Sequence, residues 1–265
     1  MLGNFVLLGA GSILLVVFVS YVTGGFLERR INLFRPLAEK FKAPILKYNT
    51  FYQHLPLESK QRFEKKVKQF IYSKEFIPRN ISEVTDEMKA LISASAVQLT
   101  FGLPDVTLLH FDKILIYPDN YYSVINRQYH KGEVNPRMGA IVVSWQAFVE
   151  GYAEPYDGIN LGIHEMAHAL KLENIIQNGE QHFFDLEEYT KWIELARVEI
   201  GKIRNGEESI FRKYASVNED EFFAVCMEVY FEQPHKLFDE NPELYKTLSN
   251  LLHQDTIRLY DKLSA

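Results

Sequence analysis

One pentapeptide constrains this chain more than any other feature: His164-Glu165-Met166-Ala167-His168. On a helix, residues four apart share a face, so both imidazoles can reach one metal ion. Glu165 projects beside them, where a carboxylate can serve as general base. The flanks agree. Asn160 to Ile163 before the motif and Ala169-Leu170 after it spell a mostly buried helix, with Asp157 or Asn160 as its cap. Ile163, Met166, Ala167 and Leu170 make that helix a poor surface for two solvated histidines. The motif therefore predicts a metal site, with Zn2+ as the ion.

Two histidines leave such a site incomplete, because catalytic zinc usually takes three protein ligands and keeps one position open. Two carboxylates compete for the third place. Glu187 lies nineteen residues after His168, a spacing shared with zinc peptidases that use a downstream glutamate, and Glu188 follows it. The same acids also read as the first turn of a helix, where the dipole favours negative charge. The rival is Glu221, which opens the apolar run Phe222 to Phe231. A buried acid on such a run needs a partner. Glu221 also stands three residues after Asn218, as a capping-box glutamate would. Glu228 lies two turns further on and reads as a hydrogen-bonding group in the core or behind a ligand imidazole.

The N-terminus carries a second signal. No residue from Met1 to Leu27 is charged, and Phe5 to Val22 is almost wholly apolar or small. That is about the length of a membrane-spanning helix. Arg29, Arg30, Arg35, Lys40, Lys42 and Lys47 all follow it, which by the positive-inside rule places the bulk of the chain in the cytoplasm. The expected organisation is an anchor over 1–27 that meets the lipid bilayer through residues 5–22, a basic juxtamembrane segment over 28–50, and one globular domain over 51–265. The expected location is the membrane, single-pass, with the catalytic domain cytoplasmic. A net charge of −6 argues against a nucleic-acid binder. The single Cys226 excludes an internal disulfide framework.

Periodicity fills in the domain. Leu57 to Phe76, Thr85 to Phe101, Asn160 to Leu172, Leu186 to Ile200, Asn218 to Glu232 and the stretch from Pro242 read as helices. Val106 to Leu109, Ile114 to Tyr117 and Gly139 to Trp145 read as strands. Strands in the middle with helices on either side predict an α+β fold.

At this point the residues carry a resemblance. The strand ending Val143-Ser144-Trp145, then Gly151, then Asn160 to His168 form its first part. Tyr214-Ala215, Glu221, Phe223-Ala224-Val225, Glu228, Phe231, Pro242, Leu244 and Tyr245 continue it. Over roughly residues 50 to 250 the chain resembles the Mlc titration factor family of zinc-dependent peptidases, whose core is similar to the anthrax lethal factor protease domain. The resemblance implies a zincin-like domain with a small central sheet, in which His164, His168 and Glu221 bind zinc and Glu165 is the general base. It also implies that Tyr214 points its hydroxyl at the reacting carbonyl. Lys171 stands where family members often carry an acid.

The function expected is a membrane-anchored zinc peptidase that hydrolyses a peptide or protein by metal-activated water, with cleavage at the amino end, as an aminopeptidase, or internally left open by the sequence. Gly139 to Trp145 is the strand expected to pair with an extended substrate. The alternative is a membrane-tethered module that sequesters a transcriptional regulator, after which the family is named, with a non-catalytic zinc site.

Overall fold

The structure, a computed structural model, describes residues 36–123 and 128–261. The chain divides between Leu37 and Ala38, and the elements below belong to the unit that starts at Ala38. α1 (Glu39–Tyr48) buries Phe41 and Ile45, four residues apart, within the segment expected as a juxtamembrane linker. α2 (Thr50–His54) is capped by Asn49, whose Oδ1 accepts the Tyr52 N–H at 2.7 Å. α3 (Leu57–Ser73) buries Phe63, Val67, Phe70 and Ile71 on one stripe. It ends before the predicted Phe76 because Phe76 and Ile77 join β1 (Glu75–Pro78), where they pair with Ile114 and Leu115. α4 (Asp86–Thr100) starts at a Thr85 cap and is buried without a break from Ala90 to Thr100.

The predicted strand at Val106 to Leu109 does not form. Leu108 has φ +55, and its carbonyl accepts from Lys74 at 2.6 Å. The Thr107 and Leu109 N–H groups donate to the Glu180 carboxylate. Side chains thus satisfy the backbone that a ladder would otherwise serve.

The main sheet holds β1, β2 (Lys113–Tyr117), β6 (Ala140–Ser144) and β5 (Gly132–Asn135), in that order. The first three run parallel, and β5 is antiparallel to β6. β3 (Tyr121–Ser123) and β4 (Gln128–His130) make a separate antiparallel pair. The expected substrate-pairing strand needs correction here. It is β6, an inner strand with β2 on one edge and β5 on the other, so it has no open backbone to offer. The open edge on that side is β5.

Ser144 ends β6 and caps α5 (Trp145–Ala153), its Oγ accepting from Ala147 N at 3.3 Å. α6 (Leu161–Glu173), α7 (Leu186–Asn205), a 3₁₀ turn (Lys213–Ser216), α8 (Glu219–Glu232), α9 (Pro234–Glu240), α10 (Pro242–Leu252) and α11 (Thr256–Asp261) complete the chain order. α6 is the centre of the packing: it meets α8, α4, α5, β5 and β6. Gly162 makes this possible, since a Cβ there would press on Phe148 and on Ser95 Oγ.

The fold is therefore α+β, and the membrane-anchored version of that expectation is corrected. Among the described residues no helix is long and apolar enough to cross a membrane. The longest, α7 with 20 residues, is interrupted by charge from Glu187 to Arg204. The segment to which spanning and bilayer contact were assigned, residues 5–22, lies outside the described residues. The single-pass location is corrected on the same finding: none of the described helices supplies a span.

Candidate metal centre

Asn160 starts α6, its Oδ1 accepting from Ile163 N at 3.1 Å. Its amide group donates to Gly151 O at 3.2 Å and to Glu232 Oε1 at 2.9 Å. The cap is thereby tied to both α5 and the end of α8. His164 and Glu165 are buried, and His168 is half-buried on the same stripe. α8 starts at Asn218, whose Oδ1 accepts from both Asp220 N and Glu221 N at 2.8 Å. That sets Glu221 in the first turn, with its carboxylate toward α6 and not back onto the cap.

The structure brings His164, His168 and Glu221 together as a group that can hold a metal ion. His164 Nε2 lies 3.1 Å from His168 Nε2 and 3.1 Å from Glu221 Oε2, and His168 Nε2 lies 3.6 Å from Glu221 Oε2. A tetrahedral ion with bonds of about 2.0–2.1 Å separates its ligand atoms by about 3.3–3.4 Å, which these distances bracket. The hydrogen-bonding chemistry points the same way. His164 Nδ1 donates to Glu228 Oε1 at 2.5 Å. Glu228 is 1% exposed and is gripped by Arg212, whose Nη1 donates to Oε2 and whose Nη2 donates to Oε1 at 3.0 Å. With the proton on Nδ1, Nε2 presents a lone pair to a carboxylate oxygen and a second imidazole. Three acceptors converging on one point call for a cation.

Electrostatics follow from this crowding. Burial opposes a charge on His164, but hydrogen bonds to Glu221 and Glu228 outweigh it and push the imidazole up to about 10, so Nε2 holds a proton that a metal ion would displace to reach the lone pair. Burial raises Glu165 to about 7 against the pull of both imidazoles. Burial also disfavours the charge of Glu221, yet hydrogen bonds to His164 and His168 hold its carboxyl well below the usual range. Glu165 packs against β5 at Gly132, where any Cβ would collide with its carboxylate.

Tyr214 sits on the 3₁₀ turn, 49% exposed, with its ring centre 6.2 Å from that of His164. Burial and then the Glu221 charge push its phenol up to about 12, so it stays a hydrogen-bond donor at neutral pH. All five candidate residues line one cleft of about 1030 Å³, which β5 borders. Glu187 is not among them. It is exposed in the first turn of α7, where its N–H donates to Asp185 Oδ1 at 3.0 Å. Sequence reasoning missed Arg212 and Gly132. The buried acid Glu228 implied a cation for the first; no sequence signal marked the second.

The family model described as glucose-regulated metallo-peptidase M90 matches residues 26–253. An uncharacterized protein of Synechocystis sp. is 28% identical over 229 residues, covering 81% of this chain and 83% of that protein. Mlc titration factor A of Serratia proteamaculans is 27% identical over 222 residues, covering 74% of this chain and 80% of that protein. The protein of the same name from Pectobacterium atrosepticum is 25% identical over 224 residues, covering 76% and 81%. With a match that runs from before α1 through α10 and takes in the whole His/Glu cluster, the chain belongs to the glucose-regulated metallo-peptidase M90 family.

Proposed function

We propose that this chain is a zinc-dependent peptidase. The observation that carries the reading is the convergence of three acceptor atoms, with Glu228 and Arg212 fixing the tautomer of His164 behind them. His164, His168 and Glu221 would hold the ion. Zinc bound there supplies an acidified water and a Lewis acid for the scissile carbonyl. Glu165 accepts the proton of the attacking water, and its burial tunes it for that work near neutral pH. Tyr214 donates its hydroxyl to the oxyanion that develops on the substrate. An extended peptide lies along the open edge of β5 by strand addition. Whether cleavage starts at the amino end follows from the products: an aminopeptidase releases single residues from unblocked peptides only.

The test is cleavage of a peptide library by the zinc-loaded chain, with and without chelator, beside Tyr214→Phe. Chelation should abolish turnover and zinc should restore it. Tyr214→Phe should cost about 10²–10³-fold, the loss of one oxyanion donor. Full activity in Tyr214→Phe would return Tyr214 to a packing role.

A second reading is binding of a transcriptional regulator. It is supported by the name Mlc titration factor A carried by relatives. Glu165 favours catalysis, because a purely structural or binding site has no use for a buried base beside its ligands.

A further inference from the structure

The stripe of α6 that carries the candidate ligands continues past them. His164, His168 and Lys171 stand at i, i+4 and i+7 and share one face. Lys171 is one turn beyond His168, about 4.5 Å along the axis, and it lines the same cleft. Its side chain is 15% exposed. The ammonium lies 5.5 Å from the ring centre of Trp192 and 5.9 Å from that of Phe223, and both rings are fully buried. An aromatic bed of this kind holds a cation in one place.

Lys171 Nζ donates to Asp220 Oδ1 at 2.6 Å. Asp220 is 67% exposed and follows from the α8 cap beside Glu221, so its carboxylate reaches the ammonium from the open side. An ammonium has three donors, and Asp220 takes one. The other cations of the cleft are differently placed. Arg212 is turned inward onto Glu228 and Gly158 O. Lys131 is 62% exposed, and its ammonium is 4.0 Å from Glu150.

We propose that Lys171 is a specificity-determining residue: it receives a carboxylate of the bound peptide, from an acidic side chain or a free C-terminus. The proposal rests on the peptidase reading above. An extended peptide advances about 3.3 Å per residue, so the carboxylate belongs one or two residues from the scissile bond. Asp220 marks the position that this carboxylate shares or takes over, and its exposure lets it swing aside.

The experiment uses the full-length, zinc-loaded chain on internally quenched peptides. In one set, each position within three residues of the scissile bond carries Glu or Gln. In a second set, the only carboxylate is a free C-terminus, compared with its amide. Wild type should prefer the acid at one position by about tenfold in kcat/KM, the size of one hydrogen bond to a charged group. The set that shows the preference names the source of the carboxylate. Lys171→Met should bring the ratio to about one. Lys171→Arg should keep it, and Asp220→Asn, by removing the competitor, should raise it. A merely structural tie between α6 and α8 would lower turnover of acid and amide alike and leave the ratio unmoved. An unchanged ratio in Lys171→Met, or no preference in wild type, overturns the proposal while the peptidase reading stands. Should Lys171→Met fail to fold, Asp220→Asn decides, and a ratio that does not rise overturns it. No cleavage by wild type at all sinks the peptidase reading and this proposal together.

Discussion

His164 Nδ1 donates to Glu228 Oε1 at 2.5 Å, across 64 residues of sequence, and so α8 supplies both Glu221 in front of that imidazole and Glu228 behind it. One helix thereby sets the position and the tautomer of a residue on another. Glu228→Gln should weaken metal binding by about 10–100-fold, the usual effect of losing the group that orients a ligand histidine. Competition with a calibrated chelator measures it. Affinity equal to wild type would reduce Glu228 to a core acid.

Arg212 is the counter-charge for that buried acid. Arg212→Met leaves the Glu228 carboxylate, 1% exposed, without its cation. Removing one partner of a buried pair costs about 3–5 kcal/mol. Denaturant unfolding should show a loss of that order, together with weaker metal binding. A change within about 0.5 kcal/mol would mean that Glu228 finds another partner.

Gly132 is the point where the edge strand touches the proposed base. Gly132→Ala places a methyl group against the Glu165 carboxylate and should displace it by a good fraction of an ångström. Misplacement of about 1 Å can cost about 10²-fold in turnover. The expected result is a loss of that order with metal content unchanged, because the three atoms nearest such a methyl group all belong to Glu165. Full activity would show that β5 yields without disturbing the base.

Glu232 gives a pH signature away from the metal. Burial pushes its carboxyl up to about 7 from 4.5, although Asn160 and the Gly158 N–H donate to it. Between those two values the folded state keeps a proton that the unfolded state has released. Stability from this group is therefore fully present below pH 4.5 and is lost as pH rises through about 7. Glu232→Gln removes the dependence. Thermal midpoints taken from pH 5 to 8 should fall more steeply for wild type than for the variant. Parallel curves would mean that Glu232 titrates normally.

Much of this architecture was legible because it depends on local pattern. The stripe of α3, the Thr85 cap of α4 and the apolar run of α8 each follow from periodicity or capping chemistry within one segment. What escaped depends on partners distant in sequence. β1 is a strand only because Phe76 and Ile77 find Ile114 and Leu115, and Leu108 leaves the β region because Lys74 and Glu180 satisfy the backbone around it. At the cleft, His164, Glu165 and His168 announce themselves by spacing. Glu187 competes for the third place by its spacing and Glu221 by the apolar run it opens, and only the approach of α8 to α6 separates them in space. Arg212 and Gly132 carry no motif; their places are set by Glu228 and Glu165.

We propose that Glu165 works on the reaction and not on the metal. Zinc content and peptide turnover of Glu165→Gln, measured beside wild type, test this. The substitution keeps the shape of the side chain and removes the base. General-base catalysis contributes about 10²–10⁴-fold, so turnover should fall by that factor while zinc stays at one per chain in both proteins. Equal turnover in Glu165→Gln, or loss of zinc along with activity, would contradict the account.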